Sequence, residues 1–238
     1  MKVLALDTST EACSAAVLLD DGRAVSRFML TERSHAELIL PMVDDVLRES
    51  GLTLTELDGI AFGRGPGGFT GVRIAAGVTQ GLAFGAGLKV APVSSLAAVA
   101  AQLLLSSPDA VGALKILVCN DARMHEVYWA AYDVDAANRA ELKPLTGERV
   151  SLPDAVVVPE GITDAAGNGL GRYPLLRQRF EQAGLRIHEG IYPHATAIAQ
   201  LGAEVLRRGE GVDAAEALPT YVRDDVARPS GGIVTTMS

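Results

Sequence analysis

Apolar and polar positions alternate along this chain in blocks that predict strands and helices in turn. "KVLALD" at the N-terminus is a continuous apolar run, "CSAAVLLD" follows, and Asp21-Gly22 marks a hairpin leading into "AVSRFML". The spacing then changes to a helical period over 34–50, with Ser34 and Glu37 in capping-box spacing and Gly51 as the stop. A short strand, "GIAFG", runs into "GRGPGGFTGVRIAAG" at 63–77, and a helix of small residues is expected from about Val72. "LKVAPV" predicts another strand and "SSLAAVAAQLLLS" a buried helix.

Near residue 110 the pattern restarts. "LKILVCND", "HEVYWAAYDV" and "ELKPLTGERV" form a second set of three strands, with Asp121 closing its first strand as Asp7 closes "KVLALD". Beyond it, "AVVVPEG" predicts a strand, "YPLLRQRFEQAG" a helix ending at Gly184, "IHEGIYP" a link, and 194–208 a last helix. Either strand-turn-strand has recurred by coincidence, or the chain is an internal duplication. Hairpins require antiparallel pairs, so the sheets should be mixed. Two repeated mixed-sheet halves with flanking helices point to the α/β, duplicated ribonuclease H-like or actin-like ATPase (ASKHA) fold. The expected organisation is an N-terminal half over 1–108 and a C-terminal half over 109–228. The last segment of the second half, about 215–228, is expected to pack back on the first, and 229–238 to form a flexible tail.

Composition narrows the field. The first residues, with one lysine and an aspartate at position 7, are expected to form a strand and not a signal peptide, and no apolar run reaches membrane-spanning length. Two cysteines, Cys13 and Cys119, make no disulfide framework and fit a reducing, cytoplasmic setting. A net charge of −8 disfavours a broad electrostatic grip on nucleic acid, so any contact with RNA is expected to be indirect.

The candidate chemistry is sparse. Gly63 to Gly68 satisfies G-x-G-x-x-G, but no Asp or Glu lies between Asp58 and Asp109 to hold a ribose, and no G-K-[ST] follows. The glycines, Gly65 and Gly67 among them, either turn the chain tightly or leave backbone amides free for an anion. Asp7, Thr8, Ser9 and Thr10 end a strand either as a nucleotide-phosphate turn or as an Asx/ST turn that caps its own backbone. The four histidines make no H-x-x-x-H, since Ile39 stands one turn after His35, so no metal site is expected. No spacing supports nucleophilic catalysis.

The stretches "ALDTST", "SHAELILPMVDDVL", "GRGPGGFTGVRIAAG", "NDARMHEVYWA" and "LPTYVRDDVA", in this order, resemble the bacterial family of the tRNA threonylcarbamoyladenosine biosynthesis protein TsaB, also called YeaZ. The likeness covers all but the tail, and the glycine stretch is its most specific part. Gly68 and Ala36 depart from it, each standing where the family usually has serine. The resemblance implies an accessory subunit without catalysis of its own, an inactive paralogue of the TsaD-type transferase. TsaD carries the H-x-x-x-H motif and transfers a threonylcarbamoyl group to N6 of adenosine 37 (t6A) in ANN-decoding tRNAs. A TsaE-type ATPase is the third partner, and ATP or ADP and a metal would enter through these partners. The alternatives are a small-molecule kinase or ATPase of the same superfold and, more remotely, a metallopeptidase.

Two helices carry the expected interface. Helix 34–50 has a wide apolar stripe that includes Leu38, Ile39, Met42 and Val46 beside His35. The next helix has Gly77, Gly81 and Gly85 four apart, with Arg73, Gln80 and Phe84 nearby. Glycine inside a helix costs about 1 kcal/mol against alanine, so a row of three requires a reason. Close approach of another helix is one; packing of the two helices on their own sheet and each other is the alternative. The resemblance implies that this pair forms a bundle with TsaD, or a homodimer when TsaD is absent.

Overall fold

The computed structural model describes residues 1–107, 113–135 and 142–222. The first half runs β1 (Val3–Asp7), β2 (Ala12–Leu18), β3 (Ala24–Leu30), α1 (His35–Ser50), β4 (Gly59–Gly65), α2 (Phe69–Ala86), β5 (Val90–Ser94) and α3 (Ser95–Leu105). The second runs β6 (Ala113–Asp121), β7 (Val127–Asp135), β8 (Leu142–Pro144), β9 (Arg149–Ser151), β10 (Asp164–Gly167), α4 (Asn168–Arg172), α5 (Pro174–Gln182), β11 (Arg186–Glu189) and α6 (Ala195–Arg207).

Each sheet opens with a hairpin and closes with parallel strands. The first has the order β3-β2-β1-β4-β5, with β1–β2 and β2–β3 antiparallel and β1–β4 and β4–β5 parallel. The second, read as β8-β7-β6-β10-β11, repeats those pairings in the same places, with β9 added on β7. The fold is the duplicated ribonuclease H-like, actin-like one. Two identical orders of mixed pairing decide between duplication and coincidence in favour of duplication.

Alternation along β1 assigns the faces. Leu4 and Leu6 pack with Ile39, Met42, Val43 and Val46 of α1 and Ala75, Ala76 and Ala83 of α2. Val3 and Ala5 point the other way, onto Ile198, Ala199 and Leu201 of α6. In the second sheet, Ile116 and Val118 meet Leu96, Val99 and Ala100 of α3, while Leu117 and Cys119 meet Leu176 and Phe180 of α5. Helices α3 and α6 therefore fill the space between the sheets, α1 and α2 cover the outer face of the first, and α5 covers the outer face of the second. Among the described residues no helix is long and apolar enough to cross a membrane.

Several elements differ from the sequence pattern. Ser34 precedes α1 but forms no capping box: at φ −100° and ψ 18° its side chain makes no cap bond, and its carbonyl accepts from the N–H groups of Glu37 and Leu38 instead. Helix α2 starts at Phe69 rather than Val72. "AVVVPEG" joins neither sheet; the carbonyls of Asp154 and Val156 accept from the Arg179 guanidinium, which takes the place of a ladder. The strand in its neighbourhood is β10, "DAAG", followed by the short α4, and β11 occupies part of the expected link. "ELKPLTGERV" is divided between β8 and β9. Helix α6 lies on the first sheet, so the chain of the second half already returns to the first at residue 195, and Ala217 and Thr220 further on also contact it, through the first-half core and the Arg64 carbonyl. The expected boundary at 108/109, the residues beyond 222 and the tail at 229–238 lie outside the described residues.

Candidate partner face and the cleft between the halves

The polar turn after β1 is closed on itself. Asp7 is fully buried; its Oδ1 accepts from the Ser9 N–H and Oγ, both at 2.9 Å, and its Oδ2 accepts from Ser95 Oγ at 3.3 Å. Burial outweighs these bonds and pushes the carboxyl up to about 6. Thr8 Oγ1 donates to the Gly71 carbonyl at 2.7 Å, and Thr10 Oγ1 accepts from the Ala12 N–H at 3.1 Å. His35 Nε2 lies 2.9 Å from the Thr10 carbonyl, which fixes the start of α1 against the turn.

The glycine loop is moulded onto that turn. A Cβ on Gly63 would lie 1.7 Å from Asp7 Oδ2, one on Gly67 2.3 Å from the Ser9 carbonyl oxygen, and one on Gly71 1.9 Å from the Thr8 carbonyl oxygen. The Gly68 N–H donates to the Ser9 carbonyl at 2.7 Å. Gly65 has φ +98°, a left-handed value suited to glycine. Carbonyl oxygens thus meet the loop where an anion cradle would present amides. Beside it, between the halves, lies a cleft of about 400 Å³ lined by Thr8, Thr10, Arg33, Thr70, Arg123 and Tyr128, among others.

The strand-end acids are not equivalent. Asp7 faces the interior shared by the two sheets, and by alternation Asn120 holds that place on β6. Asn120 is 1% exposed, and its amide atoms have no partner among the described residues. Asp121 faces outward, where its Oδ1 accepts from Tyr173 OH (2.8 Å) and the Arg123 N–H (3.0 Å). It ends β6, just before a turn with three successive left-handed residues, Arg123, Met124 and His125. Among the described residues no three His, Cys, Asp or Glu side chains gather in a way that could hold a metal.

The α1–α2 face divides into a covered and an open part. Ile39, Met42 and Val46 are core residues, at 0%, 7% and 0% exposure, so the apolar stripe of α1 is turned to its own sheet rather than to a partner. Leu38 is half-buried against the same core, and His35 is held by Thr10. On α2 the outward row is open. A Cβ on Gly77, Gly81 or Gly85 would meet nothing within 4 Å, and Phe84 between them is 85% exposed. No described part of this chain accounts for the glycine row. Gln80 Nε2 donates to the Ala217 carbonyl at 3.2 Å. The Arg73 guanidinium lies 3.4 Å above the Phe69 ring, and its Nε donates to Tyr221 OH at 2.8 Å. Phe69 and Tyr221 thus extend the open face, although helical spacing did not reveal them; Tyr221 lies within "LPTYVRDDVA", the one signal available.

The repeated sheets and the strand-end polar turn define a protein of the actin-like class. A family model described as tRNA N6-adenosine threonylcarbamoyltransferase, TsaD, matches residues 29–227. The chain is 38% identical to the tRNA threonylcarbamoyladenosine biosynthesis protein TsaB of Escherichia coli, over 95% of this chain and 96% of that one. It is 37% identical to the Haemophilus influenzae protein of the same name, over 95% of each. The solved structure of YeaZ from Pseudomonas aeruginosa matches with a TM-score of 0.79 and 41% identity, covering 92% of this chain and 99% of that one. The chain belongs to the TsaB family.

Proposed function

We propose that this chain is the non-catalytic, partner-binding subunit of a cytoplasmic tRNA threonylcarbamoyl transferase assembly, needed for t6A formation at adenosine 37 of ANN-decoding tRNAs. A TsaD-type transferase docks on the outward face of α2, a TsaE-type ATPase completes the assembly, and tRNA, nucleotide and metal are handled through these partners. The observation that carries this reading is the row of Gly77, Gly81 and Gly85: three helix-interior glycines with open space above them, next to a Phe84 side chain that is 85% exposed. Each glycine weakens α2 by about 1 kcal/mol, and close approach of a second helix gives the row its use. When the transferase is absent, a second copy of the chain takes the same face.

Assigning nucleotide chemistry to the partners is supported by the polar turn. The Asp7 carboxylate is enclosed by Ser9, Ser95 and Gly63, and the loop amide of Gly68 already donates to Ser9. The independent-kinase reading needs that carboxylate free. The test is a modification assay with purified TsaD-type and TsaE-type proteins. Threonylcarbamoylation is expected only when this chain is added, and it should be lost with Gly81→Leu. Full modification without the chain, or robust magnesium-dependent ATP turnover by the chain alone, would overturn the proposal.

A further inference from the structure

Arg64, at the end of β4, is bonded in two directions. Its guanidinium makes a two-point pair with Glu148, Nη1 to Oε2 and Nη2 to Oε1, each at 3.1 Å. Glu148 stands between β8 and β9, so the pair crosses from one half to the other. The two side chains are 26% and 16% exposed, a setting in which a two-point Arg–carboxylate pair is strong and an unpartnered charge is costly. The Arg64 carbonyl meanwhile accepts the Thr220 N–H at 2.7 Å. Thr220 lies inside a strip that Gln80 holds through the Ala217 carbonyl and Arg73 holds through Tyr221 OH. That strip runs along α2, with Leu218 62% and Tyr221 44% exposed.

We infer that residues 217–221 form a second part of the partner face, and that the Arg64–Glu148 pair is a clasp that ties its position to the setting of the two halves. Loss of the clasp leaves the Arg64 charge without its carboxylate, loosens the end of β4 and frees Thr220, and with it the Tyr221 ring beside Arg73 and Phe69. A partner that grips the strip in turn favours the clasped arrangement, because coupling between two sites is reciprocal. The role of the strip rests on the reading of α2 as the docking face; the clasp does not.

Hydrogen exchange on the isolated chain tests the clasp. In Glu148→Gln the amide of Thr220, bonded to the Arg64 carbonyl, should exchange about tenfold faster, while β1 amides and a Lys143→Gln control stay as in the wild type. Arg64→Lys, which keeps the charge but not the two-point geometry, should fall between, and Arg64→Glu combined with Glu148→Arg should restore protection. Unchanged exchange in Glu148→Gln would overturn the clasp whatever binds α2. Affinity for a TsaD-type partner tests the strip: Glu148→Gln, on the opposite half from α2, should weaken it by about 5- to 20-fold. Faster exchange with unchanged affinity would remove the strip from the face. A wild-type chain that binds no such partner would overturn the docking reading and the strip with it, and the exchange result would still judge the clasp.

Discussion

Two rows of glycine lie within twenty-five residues of each other, and they exist for opposite reasons. Across the end of β4, the loop and the first turn of α2, Gly63, Gly67 and Gly71 are pressed against Asp7, Ser9 and Thr8, at distances no Cβ could occupy. On α2, Gly77, Gly81 and Gly85 face open space. The first row lets the chain fold on itself. The second meets nothing among the described residues and weakens its helix, which is why the proposed function gives it a use in another molecule. The comparison teaches that an unexplained glycine is informative only after its surroundings are known: the loop most like a ligand cradle is internal packing, and the less conspicuous row is the exposed one.

The largest expected effect breaks the first row. Gly71→Ala or Gly63→Ala should destabilise the protein by more than about 4 kcal/mol, read as loss of folded protein or a collapsed denaturant midpoint, because backbone or a buried carboxyl must move. A variant that melts like the wild type would show that the loop is not moulded to the turn. Met42→Asp comes next. Met42 lies in the core under α1, so a charge there should cost about 3–5 kcal/mol and act on stability, not selectively on assembly.

A third effect concerns Asp7. Burial raises its carboxyl to about 6 from an ordinary value of 3.8, so the native state holds a proton that the unfolded chain releases. The associated stability is fully present below about pH 4 and is lost as pH rises through about 6, a change of about 3 kcal/mol. Asp7→Asn should remove this component, so the stability difference between wild type and variant should change between pH 4 and pH 7. A constant difference across that range would contradict it. The smallest effect sharpens the comparison by reversing its sign: Gly77→Ala should stabilise the isolated chain by up to about 1 kcal/mol, where the same change at Gly71 is ruinous. Destabilisation at Gly77 would mean that its surroundings are not open.

Much of this was legible in the sequence. The Asp21-Gly22 hairpin, the Gly51 and Gly184 stops and the restart near residue 110 are local signals, and local signals survive folding. β10 was missed because "DAAG" contains no β-branched residue; it is a strand by virtue of its parallel neighbours, β6 and β11. "AVVVPEG" misled for the converse reason, high propensity with no strand beside it. The period of α6 showed an apolar face without showing which sheet it covers. The same limit applied to the site. Spacing identified the glycine row and Phe84, but it is the packing of α1 on its sheet that separates Ile39, Met42 and Val46, which are core, from the open side of α2. Asp7 and Asp121 do close the matching strands β1 and β6, but they point to opposite faces, which a strand's end does not specify.

The central claim is that the outward face of α2 serves another protein and not this one, and Gly81→Leu tests it most directly. Thermal unfolding and binding to a TsaD-type transferase would be measured on the same preparations, with light scattering to follow self-association. The variant should be at least as stable as the wild type when monomeric, with partner affinity and homodimer both reduced by more than about 100-fold, since a leucine would hold the two helices apart. A Gly81→Leu protein that still binds with wild-type affinity would contradict it.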